Sequence, residues 1–357
     1  MRVKVFRYMA LMALAAAALH SQPIAVPGTQ PPVTGPVYWS TTAPDCSSLA
    51  GESPVAITNA SGTVGYSCYV SGTFVWLAAG GGWSTAIRVA APASAAIGVD
   101  YSFYDPSGNN LKLDSTSGGS AAASGDDVNF AMSTNQPAEI DLLGATSDAP
   151  KYTNTATGTV YAVFYCPDAT TCGNVLPQLL YSALPATPWS MSVPIAWDTA
   201  LATQWSAVGV DDGGAHRVSL VIYNEDITPT SYMIWVYDST GNIAGSGTTP
   251  SILPLQSLAN GAYGEGGTYG AMLSDVVVTP LPSGLFKIII DGGTIYSAVE
   301  VLQFNGPSAT ALQVGYDSQP ALIPGGPTQI TNIKRARVAS RPKPVFRALP
   351  VAAPTPH

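Results

Sequence analysis

The hexapeptide "YDPSGN" at residues 104–109 returns as "YDSTGN" at 237–242, an offset of 133. A turn motif repeated at that distance asks each copy to close its own core within roughly 110–130 residues, an ordinary domain size. Upstream the offset holds without a gap. Gly80 and Gly81 fall on Gly213 and Gly214, and Ile87 and Val89 fall on Leu220 and Ile222. Val99, Tyr101 and Phe103 fall on Tyr232, Ile234 and Val236. Apolar residues at every second position mark a strand with one buried face. Asp followed by Ser-Gly or Thr-Gly after such a strand is hairpin-turn chemistry.

Downstream the offset shrinks. "GTVYAVFY" (158–165) aligns with "GLFKIIID" (284–291) at 126, and "VPIAWDT" (193–199) with "LQVGYDS" (312–318) at 119. The second change of seven is accounted for if "CPDATTC" (166–172) is an extension at a hairpin tip, where the second copy makes a tight "DGGT" turn. Each copy then offers about seven short strands, and the turn residues between them are Gly, Pro and Asn. This predicts an all-β fold of two tandem antiparallel Ig-like β-sandwiches from an internal duplication. Two copies cannot make a propeller, which needs four or more blades. The expected boundaries are a signal peptide at 1–21, a Pro-rich linker at 22–37, sandwiches at 38–200 and 201–320, and a basic, Pro-rich disordered tail at 321–357. The first sandwich carries an N-terminal extension, 38–77.

The four cysteines, Cys46, Cys68, Cys166 and Cys172, fall into two local pairs. Three pairings are formally open, and the local one closes the shortest loops. Zinc would want CxxC-like spacing with nearby histidines, and neither occurs. Disulfides point to an oxidising compartment. So does the N-terminus, where Arg2, Lys4 and Arg7 precede an apolar run from Tyr8 to Leu19 and then small residues. That is the layout of a secretory signal peptide, and the run is shorter than the about 20 residues a bilayer span needs. The expected location is outside the cytoplasm, secreted or at the cell surface, with the periplasm as a further option and no membrane span after cleavage.

Charge is segregated. Lys334, Arg335, Arg337, Arg341, Lys343 and Arg347 crowd the tail. Between signal and tail stand five basic and 22 acidic residues, a net charge of −17. Such a body repels nucleic acid.

"GGGWSTAIRV" followed by "VDYSFYDPSGNNL", then "HRVSLVIYNEDITPTSYMIWVYDSTGNIA", resembles uncharacterised secreted bacterial proteins with tandem Ig-like or fibronectin-III-like sandwiches. The resemblance spans about residues 72–320 and implies fold and export, with no catalytic motif. The second copy departs from it with His216 in the place of Trp83, and it lacks cysteines.

Catalytic chemistry has few carriers. His216 is the one histidine of the body, no G-x-S-x-G elbow occurs, and neither HExxH nor a Cys-rich cluster is present. No cofactor and no metal is expected, although Asp126-Asp127, Asp211-Asp212 and Glu225-Asp226 leave calcium open as an acidic-loop ligand. Asp105 and Asp238 read as caps of their own turns. A glycoside hydrolase would need two carboxylates across a cleft, and no motif singles out a pair among the five Glu. Aromatic residues say more. Trp235 and Tyr237 share a strand parity opposite to the apolar Ile234 and Val236, which predicts an outward-facing pair suited to stacking on sugar rings. The expected role is non-catalytic binding or scaffolding outside the cell, with a glycan or an extracellular protein as partner. Carbohydrate binding through exposed aromatics and hydrolysis by an unrecognised carboxylate pair are the alternatives.

Overall fold

The structure, a computed structural model, describes residues 37–49, 54–58, 64–117, 123–183, 189–197, 201–255, 266–305, 308–312 and 314–316. The expected signal peptide at 1–21, almost all of the expected linker at 22–37 and the expected basic tail at 321–357 lie outside the described residues. Among the described residues the protein is all-β, with antiparallel sheets, two short α-helices and one 3-10 turn at Thr146–Asp148.

Two sheets face each other in the N-terminal half. One runs β1 (Val55–Thr58), β2 (Val64–Ala79), β9 (Ala156–Cys166), β4 (Ile97–Tyr104), β7 (Asp127–Met132), with β12 (Ala196–Trp197) also on β2. The other runs β11 (Trp189–Pro194), β10 (Gln178–Ala183), β3 (Trp83–Ala90), β8 (Pro137–Ala145), β5 (Leu113–Ser117), β6 (Ala123–Gly125). Phe74, Ile87, Tyr101, Ile140 and Phe164 fill the core between them. The C-terminal half stacks β16 (Ile243–Thr248), β15 (Met233–Tyr237), β18 (Leu285–Asp291), β13 (Gln204–Val210), β21 (Gly315–Tyr316) on β17 (Thr268–Met272), β14 (His216–Asn224), β19 (Ser297–Asn305), β20 (Ser308–Leu312). Leu220, Ile222, Ile234, Val236 and Ile288 fill that core. The apolar alternation in β4 and β15 is the cause: every second side chain has one dry face to reach.

Strand positions correspond between halves. β3 and β14 begin 133 residues apart, β12 and β21 119 apart, and each takes the same neighbours in its sheet. The ladders adjust the motif alignment. Tyr101 pairs with Ala162 and Ile234 with Ile290, so β9 maps onto β18 at 128 where the motifs predict 126. Ile87 pairs with Leu179 and Leu220 with Val301, an offset of 122 for β10 and β19. The excess around the short disulfide is therefore six residues instead of seven. Nor is that segment a hairpin tip, because β9 and β10 lie in opposite sheets. It is a crossing connection, and it holds α1 (Ala169–Gly173), whose first turn is capped by Asp168 accepting the Thr171 N–H at 2.8 Å.

The hairpin expected at "YDPSGN" is also corrected. In the C-terminal half β15 returns directly as β16. In the N-terminal half the chain returns only for the Tyr104–Asn110 bridge, then crosses to the other sheet as β5, and β7 takes the place beside β4. The 38–77 extension shrinks too. β2 holds the place in its sheet that β13 holds in the other half, so the added chain ends with β1. The described residues before β2 lie on the outer sheet face, where Tyr38 and Ile57 are buried with Tyr69 and Tyr165.

An immunoglobulin sandwich divides its strands into A-B-E-D and C-F-G. Here β14 pairs β17 as B pairs E, and β15 pairs β18 as C pairs F. The flanks are exchanged: β13 lies beside β18, and β19 beside β14.

Candidate functional site

Trp235 and Tyr237 lie on the outer face of β15, as their parity predicts, and both are half-buried. Residues two apart on a strand place their side chains about 7 Å apart on one face. Met233 continues the row. On β18 the register sets Asp291, Ile289 and Lys287 opposite Met233, Trp235 and Tyr237. Val208 of β13 pairs with Lys287. Val208, Met233 and Leu285 remain 53%, 38% and 61% exposed while Ile289 beside Trp235 is buried, so among the described residues this five-stranded face is partly open, with exposed apolar side chains set among Lys287 and Asp291.

The opposite sheet of the same half is covered. Its outward residues Val221, Tyr223, Ala298 and Leu302 are buried although they point away from their own core. β2 packs against β14, β17 and β19, and β11 against β20. Val75 and Trp76 of β2 meet Val221, Tyr223 and Ala298 in one apolar cluster. A Cβ on Gly270 would stand 3.3 Å from the Trp76 ring, so the small residue admits that ring. A half-open cavity of ≈ 230 Å³ interrupts the seam, and Trp76, Trp83, Tyr181, Met191, Met272 and Phe304 line it.

Glu300 sits in this seam, opposite Val221 on the ladder and 8% exposed. Its buried Oε1 has no hydrogen-bond partner among the described residues. Burial alone raises its carboxyl to about 8. Tyr181 of β10 is held in its neutral form first by burial and then by the nearby Glu300 charge. The Tyr181 hydroxyl donates to the Trp76 carbonyl.

The remaining candidates resolve into local structure. Asp105 accepts the N–H groups of Ser107 and Asn109 at 2.8 and 2.9 Å, and Asp238 those of Thr240 and Asn242 at 2.9 and 3.0 Å. His216 opens β14 exposed, its Nδ1 3.1 Å from Asp212 Oδ2. That side-chain hydrogen bond, with backbone N–H donors from Gly214 and His216, holds Asp212 down at about 2. Asp211 accepts the N–H of Gly213 at 2.9 Å and of Val218 at 3.0 Å. Glu139 and Asp141 share the outer face of β8, with Glu139 ion-paired to Arg88. Asp141 is raised first by burial and then by Glu139. Among the described residues no three His, Cys, Asp or Glu side chains gather as metal ligands.

Both disulfides form locally, Cys46–Cys68 and Cys166–Cys172. The ladder brings them together, because Cys68 on β2 pairs with Cys166 on β9. Among the described residues no helix is long and apolar enough to cross a membrane. Both facts are compatible with an extracellular protein.

No motif marks Glu300 or the seam. A signal existed in "VSLVIY" and "SAVEVLQF", which are apolar at both parities and so demand cover on both faces. A single acid inside such a run marks a buried carboxyl.

No family model, curated protein or solved structure matches the chain.

Proposed function

We propose that this is an exported, non-catalytic binding protein built from two copies of one Ig-related β-sandwich, residues 38–200 and 201–320. The duplication is supported by the shared strand order and by the two Asp-capped turns, which repeat the same backbone bond from Asp to Asn, 2.8 Å in one and 2.9 Å in the other. The resemblance to secreted tandem-sandwich proteins stands as part of the proposal.

The observation that carries the function is the contrast between the two outer faces of the C-terminal half. One is sealed by the N-terminal half. The other keeps Val208, Met233 and Leu285 in water around Trp235 and Tyr237. Exposed apolar surface rimmed by polar side chains marks an interaction site. A two-sandwich body presenting that face fits an adhesion or scaffold role toward an extracellular partner. The Trp235–Tyr237 row favours a glycan as that partner, since aromatic rings stack on sugar faces without needing charge.

Retention of the exported chain on a panel of polysaccharides at low and high salt tests this. Salt-resistant retention that Trp235→Ala and Tyr237→Ala each weaken about tenfold, roughly 1.4 kcal/mol, is the expected result. Retention untouched by either change would move the site off this face, and retention on no glycan would direct the search to protein partners.

A further inference from the structure

We propose that Glu300 makes the docking of the two sheet pairs depend on pH, the seam closing while its carboxyl carries a proton and loosening when it ionises. β19 pairs with β14 and lays its outward residues against the N-terminal half, so Glu300 is buried by the docking itself. Unlike a core residue, it returns to water when the seam opens, with both sandwiches still folded.

The described groups around it are uncharged. Val221 lies opposite on β14, with Tyr223 two residues along on the same face. Ala298 and Leu302 flank it on β19, β2 brings Val75 and Trp76, β12 brings Ala196, and β10 brings Tyr181. The Tyr181 hydroxyl is already donated to the Trp76 carbonyl. Tyr223 Oη accepts the Gly266 N–H at 3.4 Å. No cation stands among these residues to compensate a carboxylate, and an isolated buried carboxylate is costly. The neighbouring cavity leaves the seam less than fully packed, a natural place for it to part.

The sign follows from linkage. The docked carboxyl titrates at about 8 and the exposed one near 4.5. Below 4.5 both forms are protonated and docking is at full strength. Between these values the open form releases a proton that the docked form keeps, so docking weakens roughly tenfold per pH unit as pH rises. Above about 8 both are ionised and the loss levels off.

The test is hydrogen exchange of the full exported chain at pH 5 and pH 9, corrected for intrinsic rates, with small-angle scattering on the same samples. The expected result is that β2, β14 and β19 lose protection together at pH 9, the particle lengthens, and Glu300→Gln abolishes both changes. Equal protection at both pH values, or a loss that persists in Glu300→Gln, overturns the proposal. A carbon-13 titration of the wild-type glutamates covers the case of a variant that fails to fold. A seam glutamate titrating near 8 supports the proposal, and all five titrating near 4.5 overturn it.

Discussion

Two glycines show how different the demands on a single residue are. Gly241 closes the Asp238 turn at φ +86°, with nothing within 4 Å of the place a Cβ would take. Its requirement is conformational, because the left-handed region costs an L-residue about 1–2 kcal/mol. Gly158 on β9 has no such φ, but a Cβ there would lie 1.9 Å from the Tyr104 carbonyl oxygen on the neighbouring strand. That atom belongs to the ladder and cannot step aside. Gly241→Ala is therefore expected to cost about 1 kcal/mol and lower the melting temperature by a few degrees. Gly158→Ala is expected to cost at least twice as much, since relief requires moving a strand. Thermal unfolding of the two variants side by side checks the order, and equal losses would place the constraint at Gly158 elsewhere than in the ladder.

At the scale of elements, the two disulfides act on different lengths of chain. Cys46–Cys68 spans 22 residues and ties the segment before β1 to β2, whereas Cys166–Cys172 spans six. On the chain-entropy account the longer closure is worth about 3 kcal/mol and the shorter about 2. Cys46→Ala with Cys68→Ala should therefore lower denaturant stability more than Cys166→Ala with Cys172→Ala. The reverse order would mean that the crossing connection, with α1 and its Asp168 cap, matters more to the native state than loop length allows. The pairing itself was legible in the spacing, as was the strand character of β4 and β15, because one-sided burial writes a period of two into the residues. The connectivity was less legible. "YDPSGN" and "YDSTGN" make the same turn, yet one chain returns as β16 and the other crosses as β5. Local turn chemistry dictates the bend and not which sheet receives the next strand. The registers slipped by two and three residues for a related reason. Gly-Thr-Val and Gly-Leu-Phe align by type, while the ladder answers to the neighbouring strands on both sides.

At the scale of the whole molecule, the decisive feature is that one sheet of the C-terminal half has two buried faces and the other has one. The residues say so indirectly: β14 and β19 are apolar at both parities, and β15 alternates until its outer face reaches Trp235 and Tyr237. What no single strand reveals is the partner surface, since Trp76 and Val75 lie some 145 residues upstream of Val221. The seam makes the orientation of the open face a property of the whole chain. Gly270 gives the means to test that without touching a charge. Gly270 is exposed on one side, but on the other its missing Cβ leaves 3.3 Å to the Trp76 ring, already tight for one methyl group. A valine there would drive its branches into that ring, while β17 would keep its own ladder bonds to β14 intact. Gly270→Val is thus expected to cost about 1–3 kcal/mol of overpacking. The cost should fall on the seam, read as a longer particle in scattering at pH 5 with both cores still protected from exchange. If the variant instead unfolds as one unit, the two halves depend on the seam for their folding, and the open face is held in place by the same contacts that hold the cores. If its scattering matches the wild type, Trp76 has room to turn into the adjacent cavity, and the seam tolerates more than the glycine implies.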